Sequence, residues 1–169
     1  MSRSKKLIVT ALFLIGACIL LYPAVSNKLA ERHQAEMISR YEQTVEELPK
    51  TDMKSEWEKA VKYNESVTGM SVEDPFILGS GSVLPGNYKD VLNVEEKEGV
   101  MGYIEIPAID VMLPIYHGVS ERVLRRGVGH METTALPIGG KGTHSVLASH
   151  RGLSTAKLFT DLDLSLIHI

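Results

Sequence analysis

Cysteine is nearly absent from this chain of 169 residues, since Cys18 is the only one. A disulfide within the chain is therefore excluded, and a thiol in an apolar run behaves as a small hydrophobic side chain rather than as a nucleophile. An excess of charge of one sign is also lacking, because 18 Lys and Arg stand against 21 Asp and Glu, for a formal net charge of -3. This balance argues against nucleic acid as the main partner.

Charged residues are missing altogether from residues 7–25, which consist mainly of Leu, Ile, Val, Ala and Phe. A helix of this length spans roughly 30 Å of hydrocarbon, so residues 7–25 are predicted to form a transmembrane anchor. A cleaved signal peptide and a buried core helix are the alternatives, but the run is longer than the apolar part of an ordinary signal peptide. Arg3, Lys5 and Lys6 predict that residues 1–6 form a cytoplasmic tail in a single-pass protein of the cell membrane, with the rest of the chain on the extracytoplasmic side.

Helical periodicity marks residues 26–67. The apolar residues that recur at steps of three and four are Ile38, Tyr41, Val45 and Leu48. Pro49 ends this amphipathic helix, and Thr51 or Asp52 is predicted to cap a second helix that ends at Gly69. The residues predicted to share one face of the second helix are Trp57, Ala60, Val61 and Asn64. The segment is predicted to be a helical stalk that packs the following domain near the membrane.

Periodicity disappears in residues 68–98, where Gly, Ser, Pro and Asn accumulate. This composition predicts a long loop. Within it, Asp74-Pro75-Phe76 stands out because a carboxylate and an aromatic ring flank a residue of fixed φ. An ordinary Asx-Pro turn explains the motif equally well.

After the loop, hydrophobic residues alternate with period two, which predicts short β-strands. The alternating residues are Ile104, Ile106, Val111, Leu113 and Ile115. Pro107 and Pro114 indicate bends, strand ends or sheet edges rather than central ladder positions. Ser120 is predicted to cap a helical turn that ends at Gly127, and residues 145–148 are predicted to form a buried strand. Several strands with little helix between them indicate a barrel or a sandwich.

Four of the six histidines fall in this region, at His117, His130, His144 and His150. Their irregular spacing lacks the close ligand pairs of zinc sites, so no metal site is predicted, and the first three are expected to be structural. His150 differs because it ends an apolar strand and is followed by Arg151 and Gly152. Loops that leave strand ends often carry catalytic groups, and imidazole suits proton transfer near neutral pH. His150 is therefore the candidate catalytic residue, with a structural role as the alternative.

Five ordered stretches resemble the class C sortases, the pilin-polymerising transpeptidases of Gram-positive bacteria. They are VMGYIEIP (100–107), LPIYHG (113–118), GVGH (127–130), LPIGG (136–140) and SHRGL (149–153). The resemblance extends from the apolar amino-terminal run to about residue 163, and Asp74-Pro75-Phe76 matches the lid motif of that class. It implies a mainly β fold, a sortase-type β-barrel of which residues 99–163 form the amino-terminal part.

The resemblance also implies a reaction, which in the family is catalysed by a His, a Cys and an Arg. The cysteine attacks the threonine carbonyl of an LPXTG-like sorting signal, and a pilin lysine resolves the resulting thioester into an isopeptide bond. His150 matches the family histidine, as proton donor and acceptor, whereas Arg151 does not match the catalytic arginine. Asp74, Pro75 and Phe76 are expected to form a lid over the cleft. The implied partners are LPXTG-type pilins or surface proteins and the membrane, and no cofactor or metal is implied.

The sequence departs from the family pattern because the cysteine motif, the arginine and usually a second hydrophobic segment have no counterpart in it. The chain is therefore expected to be an inactive fragment that folds poorly, since a shortened barrel exposes unpaired strand edges. Residues 164–169 are expected to be non-native, because one back-translation of them spells the transposon-end adapter of sequencing-library kits. The alternative interpretation is a non-catalytic, membrane-tethered extracytoplasmic module that binds a partner. A Thr-Cys motif followed by an arginine in the downstream reading frame would decide for the enzyme.

Overall fold

The computed structural model describes residues 3–68, 87–94 and 99–162. Its longest element is α1 (Arg3–Glu47), a helix of 45 residues that passes through Pro23 without ending. The predicted membrane span and the predicted amphipathic segment are therefore parts of one continuous helix. Good helix formers are frequent in both halves, Leu and Ala in the first and Glu, Ala, Gln and Arg in the second, so the helix does not end where the polarity changes.

The two halves of α1 have different surroundings. The first half includes an apolar window of which 0% is buried in the molecule, whereas Gln34, Met37 and Ile38 in the second half are buried. There the Gln34 side-chain amide donates a hydrogen bond to the Arg126 carbonyl at 3.2 Å, and the Tyr41 hydroxyl donates one to the Met101 carbonyl at 3.2 Å. The predicted stalk is thus packed against the domain that follows it.

Helix α2 (Lys50–Val67) starts directly after Pro49, which occupies the N-cap position without a side-chain cap. The predicted cap at Thr51 or Asp52 is wrong. The Pro49 carbonyl already accepts hydrogen bonds from the amides of Asp52 at 2.9 Å and Met53 at 3.1 Å, so the first turn includes both predicted residues. The Asp52 carboxylate still lies in that first turn, where the helix dipole favours a negative charge.

The buried face of α2 consists of Ala60, Tyr63, Asn64 and Val67. The predicted face shares Ala60 and Asn64 with it, but Trp57 is 54% exposed and Val61 is 37% exposed. The true face is rotated toward Tyr63 because that ring enters the core beneath the helix, packed against Tyr88 at 5.7 Å between ring centroids. Helical periodicity alone does not decide which of two adjacent apolar stripes meets the sheet.

A sheet of four strands follows, with β1 (Val100–Ile106), β2 (Val111–His117), β3 (Val128–His130) and β4 (Leu147–Ala148) in that spatial order. Strands β1 and β2 are antiparallel, β2 and β3 are parallel, and β3 and β4 are antiparallel. A 3-10 turn at Pro107–Ile109 joins β1 to β2. The short helix α3 (Glu121–Leu124), with Ser120 at its N-cap as predicted, lies in the connection between β2 and β3.

Two strand predictions need correction. Pro114 lies inside β2, a strand with a neighbour on each side, where it is the partner of Tyr103. The sheet accommodates it because the parallel ladder to β3 begins only at Ile115, one residue later. The strand predicted at residues 145–148 is shorter, and β4 is half-buried. Among the described strands β4 pairs with β3 alone, so one side of it lacks a covering strand.

Buried residues of α2, of β1 to β3 and of the segments that follow α2, β3 and β4 form one core. It is formed by these buried residues: Ala60, Tyr63, Val67, Tyr88, Val91, Met101, Val111, Leu113, Ile115, Val128, Ala135, Leu136, Ala156 and Leu158. Contributions come from both helical and strand segments, so the helices and the sheet bury their apolar faces against each other. The β region preceded by helices agrees with the predicted architecture.

Candidate functional site

His150 lies two residues after β4, in a loop that turns at Gly152, whose φ of 86° suits glycine. Two hydrogen bonds fix the backbone around it. The Ser149 hydroxyl donates to the Gly127 carbonyl at 2.7 Å, and the Phe159 amide donates to the His150 carbonyl at 3.2 Å. The ring itself remains partly open, with 30% of the side chain exposed. An accessible imidazole on a fixed backbone is suited to exchange protons with a bound molecule.

Glu121 is the residue that contacts the ring. Its Oε2 atom lies 3.2 Å from His150 Nε2, and its Oε1 atom accepts a hydrogen bond from Arg125 Nε at 2.6 Å. The hydrogen bond from Arg125 lowers the pKa of Glu121. The electrostatic interactions with His150 and Arg125 and the hydrogen bond with His150 lower it as well. A carboxylate facing Nε2 favours a proton on that nitrogen, which leaves Nδ1 as the lone-pair nitrogen of the neutral ring.

Sequence reasoning did not identify Glu121. The spacing of Glu121 and Arg125 indicates an ion pair along α3, but His150 is 29 positions further along the chain. Glu121 and His150 meet because β3 pairs with β4. This pairing brings the loop after β4, which carries His150, next to the connection between β2 and β3, which carries Glu121. No sequence signal links the carboxylate to the imidazole.

His130 is a structural residue, as predicted. Its side chain is 0% exposed, with Nε2 at 2.9 Å from the Ala135 carbonyl and Nδ1 at 3.0 Å from the Tyr88 hydroxyl. Burial lowers the pKa of His130 to about 4, so the ring is neutral at physiological pH. The Tyr88 hydroxyl also accepts the Gly118 amide at 3.0 Å, which ties the segment before β1 to the end of β2.

His117 is also held by backbone groups, since its Nε2 lies 2.8 Å from the Val91 carbonyl and its Nδ1 lies 3.1 Å from the Gly99 carbonyl. The His144 carbonyl accepts the Ala135 amide at 3.0 Å, and its side chain is exposed. Within residues 3–68, 87–94 and 99–162, no three His, Cys, Asp or Glu side chains are grouped so that they could hold a metal ion.

The other residues considered in the sequence analysis are Arg151, Cys18 and the predicted lid. Arg151 is exposed at the turn. Cys18 is exposed on the apolar half of α1, before the part of that helix that packs on the domain. The predicted lid, Asp74, Pro75 and Phe76, lies outside the described residues, as do residues 164–169.

Comparisons with known proteins agree on one family. The model of the sortase domain family matches residues 104–165. The crystal structure of sortase C1 from Streptococcus agalactiae is similar at 37% identity and a TM-score of 0.65, over 75% of this chain and 63% of that one. Sortase C-1 from Streptococcus pneumoniae is similar at 38% identity and a TM-score of 0.64, over 75% of this chain and 64% of that one. No curated protein sequence matches the chain.

This chain therefore spans less than two thirds of the length of these solved structures, at 63% and 64%. The region matched by the family model contains the end of β1, all of β2 to β4 and the His150 loop, and it agrees with the predicted sortase-type fold.

Proposed function

Because this chain belongs to the sortase family and its solved relatives are class C members, we propose that it is part of a membrane-anchored cysteine transpeptidase of pilus assembly. The observation that carries the proposal is the position of His150. Its ring is accessible at the end of β4, it contacts a carboxylate, and it stands in the stretch SHRGL that resembles the family's histidine motif.

In the proposed reaction a cysteine thiolate attacks the threonine carbonyl of an LPXTG-like sorting signal. The bond to the following residue breaks, and protonated His150 gives a proton to the leaving amine, which leaves a thioester. The amine of a pilin lysine then attacks the thioester and loses a proton to neutral His150, while the thiolate leaves. The products are an isopeptide bond and the regenerated thiolate, so protons balance over the cycle.

The nucleophile in this proposal is not Cys18. That thiol lies on the unburied apolar half of α1, within the proposed membrane span. We propose that the thiol and the arginine come from sequence that continues the barrel, and that the chain of 169 residues is inactive by itself.

The proposed location is the cell membrane. The apolar half of α1 is long enough to cross a bilayer, and Arg3, Lys5 and Lys6 favour a cytoplasmic amino terminus. The domain that follows then lies on the extracytoplasmic side, which is where the proposed substrates, pilins and other surface proteins, are located.

The proposed lid is Asp74-Pro75-Phe76. A carboxylate and an aromatic ring over the cleft would shield the thiol until a substrate displaces them. In the enzyme extended by its downstream coding sequence, the double change Asp74→Ala and Phe76→Ala is expected to speed labelling of the thiol by a small reagent. Equal labelling rates would count against the lid.

The extended enzyme also tests the role of His150. With a fluorogenic LPXTG peptide and a pilin-lysine acceptor, His150→Ala is expected to lower both cleavage and isopeptide formation by about 10²-fold or more. His144→Ala is the matched control, since that side chain is exposed, and it should keep the parental rate. A His150→Ala enzyme with the parental rate would remove the catalytic assignment.

A further inference from the structure

The domain is fixed to α1 at the position where the apolar run ends. Residues 18–25 are exposed, and Ser26 and Asn27 are the next two residues, both half-buried. The Ser26 hydroxyl donates to the Thr155 carbonyl at 3.3 Å, and the Lys157 amide donates to Asn27 Oδ1 at 2.6 Å. The apolar run and the domain are therefore joined by continuous helix with no spacer.

A second loop lies beside the first. The Lys157 ammonium donates to the Ile109 carbonyl at 3.0 Å and pairs with the Asp161 carboxylate at 3.0 Å. The turn after β1 therefore lies next to the loop that contacts Ser26 and Asn27. We call residues 107–110 and 154–161 together the basal face.

The basal face is close to the end of the apolar run. At about 1.5 Å of rise per residue, Asn27 lies about 3 Å beyond Val25 along the helix axis. The headgroup region adds roughly 5–8 Å to each side of the hydrocarbon. A helix that crosses the membrane with residues 7–25 thus brings the residues bonded to Ser26 and Asn27 to the depth of the headgroups.

We propose that the basal face rests in the lipid headgroup layer and that α1 holds the domain there as a rigid connection. This inference rests on the proposed membrane anchor. It adds a lipid contact surface that the transpeptidase function does not require.

The basal face carries little net charge. Its charged residues are Lys157, Asp110 and Asp161, and Lys157 pairs with Asp161 at 3.0 Å. The contact is thus set by the length and direction of α1 rather than by attraction to anionic lipid. A zwitterionic phosphatidylcholine surface should serve as well as an anionic one.

The orientation also sets the height of the candidate catalytic residue. Arg126, next to the Gly127 carbonyl that binds Ser149, contacts α1 at Gln34. Gln34 is eight residues after Ser26, or about 12 Å along the axis. His150 therefore lies within a few helical turns of the bilayer, and the Phe159 amide connects its backbone directly to the basal loop at 3.2 Å.

The experiment uses the full chain in phosphatidylcholine vesicles that contain a lipid with a spin label on its headgroup. In a Cys18→Ser background, Ser154→Cys places a fluorophore on the basal face, and Ser55→Cys places one on α2 as the matched control. Both serines are exposed, and Ser55 lies near the distal end of α1. Quenching is expected to be several-fold stronger at position 154 than at position 55, with the same ratio when anionic phosphatidylglycerol is included.

Hydrogen exchange in the same vesicles measures the docking contact directly. The Lys157 amide is expected to be protected, and Asn27→Ala should remove that protection together with the difference in quenching. Equal quenching at the two positions in vesicle-bound protein, or an unprotected Lys157 amide in the parent chain, would overturn the orientation. Failure of the chain to float with the vesicles would instead overturn the anchor on which the inference rests.

Discussion

At the scale of single residues, two histidines of one small domain differ because of their surroundings. His130 is fully buried and bonded on both ring nitrogens, whereas His150 is accessible and contacts a single carboxylate. The residue type alone permits either role. Burial and hydrogen bonding assign the first to the core and leave the second available for proton transfer.

The buried His130 predicts a pH dependence of stability. Burial lowers its pKa to about 4, while an unfolded histidine has a pKa of about 6.5. Its neutral form therefore stabilises the fold fully above about pH 6.5, and this contribution is lost progressively as the pH falls from about 6.5 to about 4, by about 3 kcal/mol in total. Urea unfolding between pH 7 and pH 4 measures the loss.

The matched controls for this prediction are His130→Gln, which removes the titrating group, and His144→Gln, which changes an exposed histidine. His130→Gln should reduce the decline in the free energy of unfolding with falling pH. His144→Gln should leave that decline unchanged. An equally steep decline in His130→Gln would contradict the assignment.

Glu121 is expected to act as a positioning residue for His150. Because the pair is largely exposed, with 30% and 60% of the two side chains accessible, its removal should have a modest effect. In the extended enzyme, Glu121→Ala is expected to lower kcat/KM about two- to fivefold, mainly through kcat. Glu121→Gln, which retains an acceptor, should recover most of the loss.

Glu31→Ala serves as the control for Glu121, since Glu31 is also an exposed carboxylate paired with a cation on its own helix. It should leave the kinetic constants unchanged. A Glu121→Gln enzyme as slow as Glu121→Ala would argue that the charge, rather than the positioning of the ring, is what matters.

At the scale of elements, the Asn64 side chain makes two of the hydrogen bonds that hold α2 to the rest of the domain. Asn64 donates through Nδ2 to the Leu136 carbonyl at 3.2 Å and accepts the Leu136 amide through Oδ1 at 2.7 Å. This pair of bonds connects the helix to the chain segment between β3 and β4. The Asn64 side chain thus gives the buried Leu136 backbone the two hydrogen bonds that a neighbouring strand would otherwise supply.

Asn64→Ala is expected to lower the free energy of unfolding by about 2–4 kcal/mol, because it leaves the buried amide and carbonyl of Leu136 unpaired. Chemical denaturation measures the change. Glu65→Ala, at the adjacent exposed position of α2, should change it by less than about 0.5 kcal/mol. Similar values for the two variants would show that the Leu136 backbone finds other partners.

At the scale of the whole molecule, the sheet is incomplete as described. Among the four described strands, β1 and β4 each have one neighbour, so each presents an open edge. Barrels remove such edges by closure, and an open edge weakens both cooperativity and solubility.

The proposed enzyme, which includes strands that continue the barrel, is therefore expected to unfold more cooperatively than the chain of 169 residues. Denaturant unfolding should show a larger m-value, since a closed barrel buries more surface. Circular dichroism as a function of urea measures it for both chains. An equally steep transition in the chain of 169 residues would contradict the expected dependence on further strands.

Much of the architecture was predictable because it depends on short-range patterns. Alternating residues predicted β1 and β2, the apolar run predicted a helix over residues 7–25, and Ser120 predicted the start of α3. Two of the errors concern packing. The place of Pro114 inside β2 and the rotated buried face of α2 both depend on the positions of neighbouring elements. The local sequence does not specify those positions.

The sequence by itself determined the position of the apolar run, the strand pattern and the resemblance to the family, and it made His150 the candidate catalytic residue, because these depend on composition, periodicity and ordered motifs. The tertiary structure decided that α1 is continuous into the domain, that Glu121 meets His150, and that His130 is neutral and buried. These features need contacts between residues far apart in the chain, such as Asn27 with Lys157, and only the folded backbone brings such residues together.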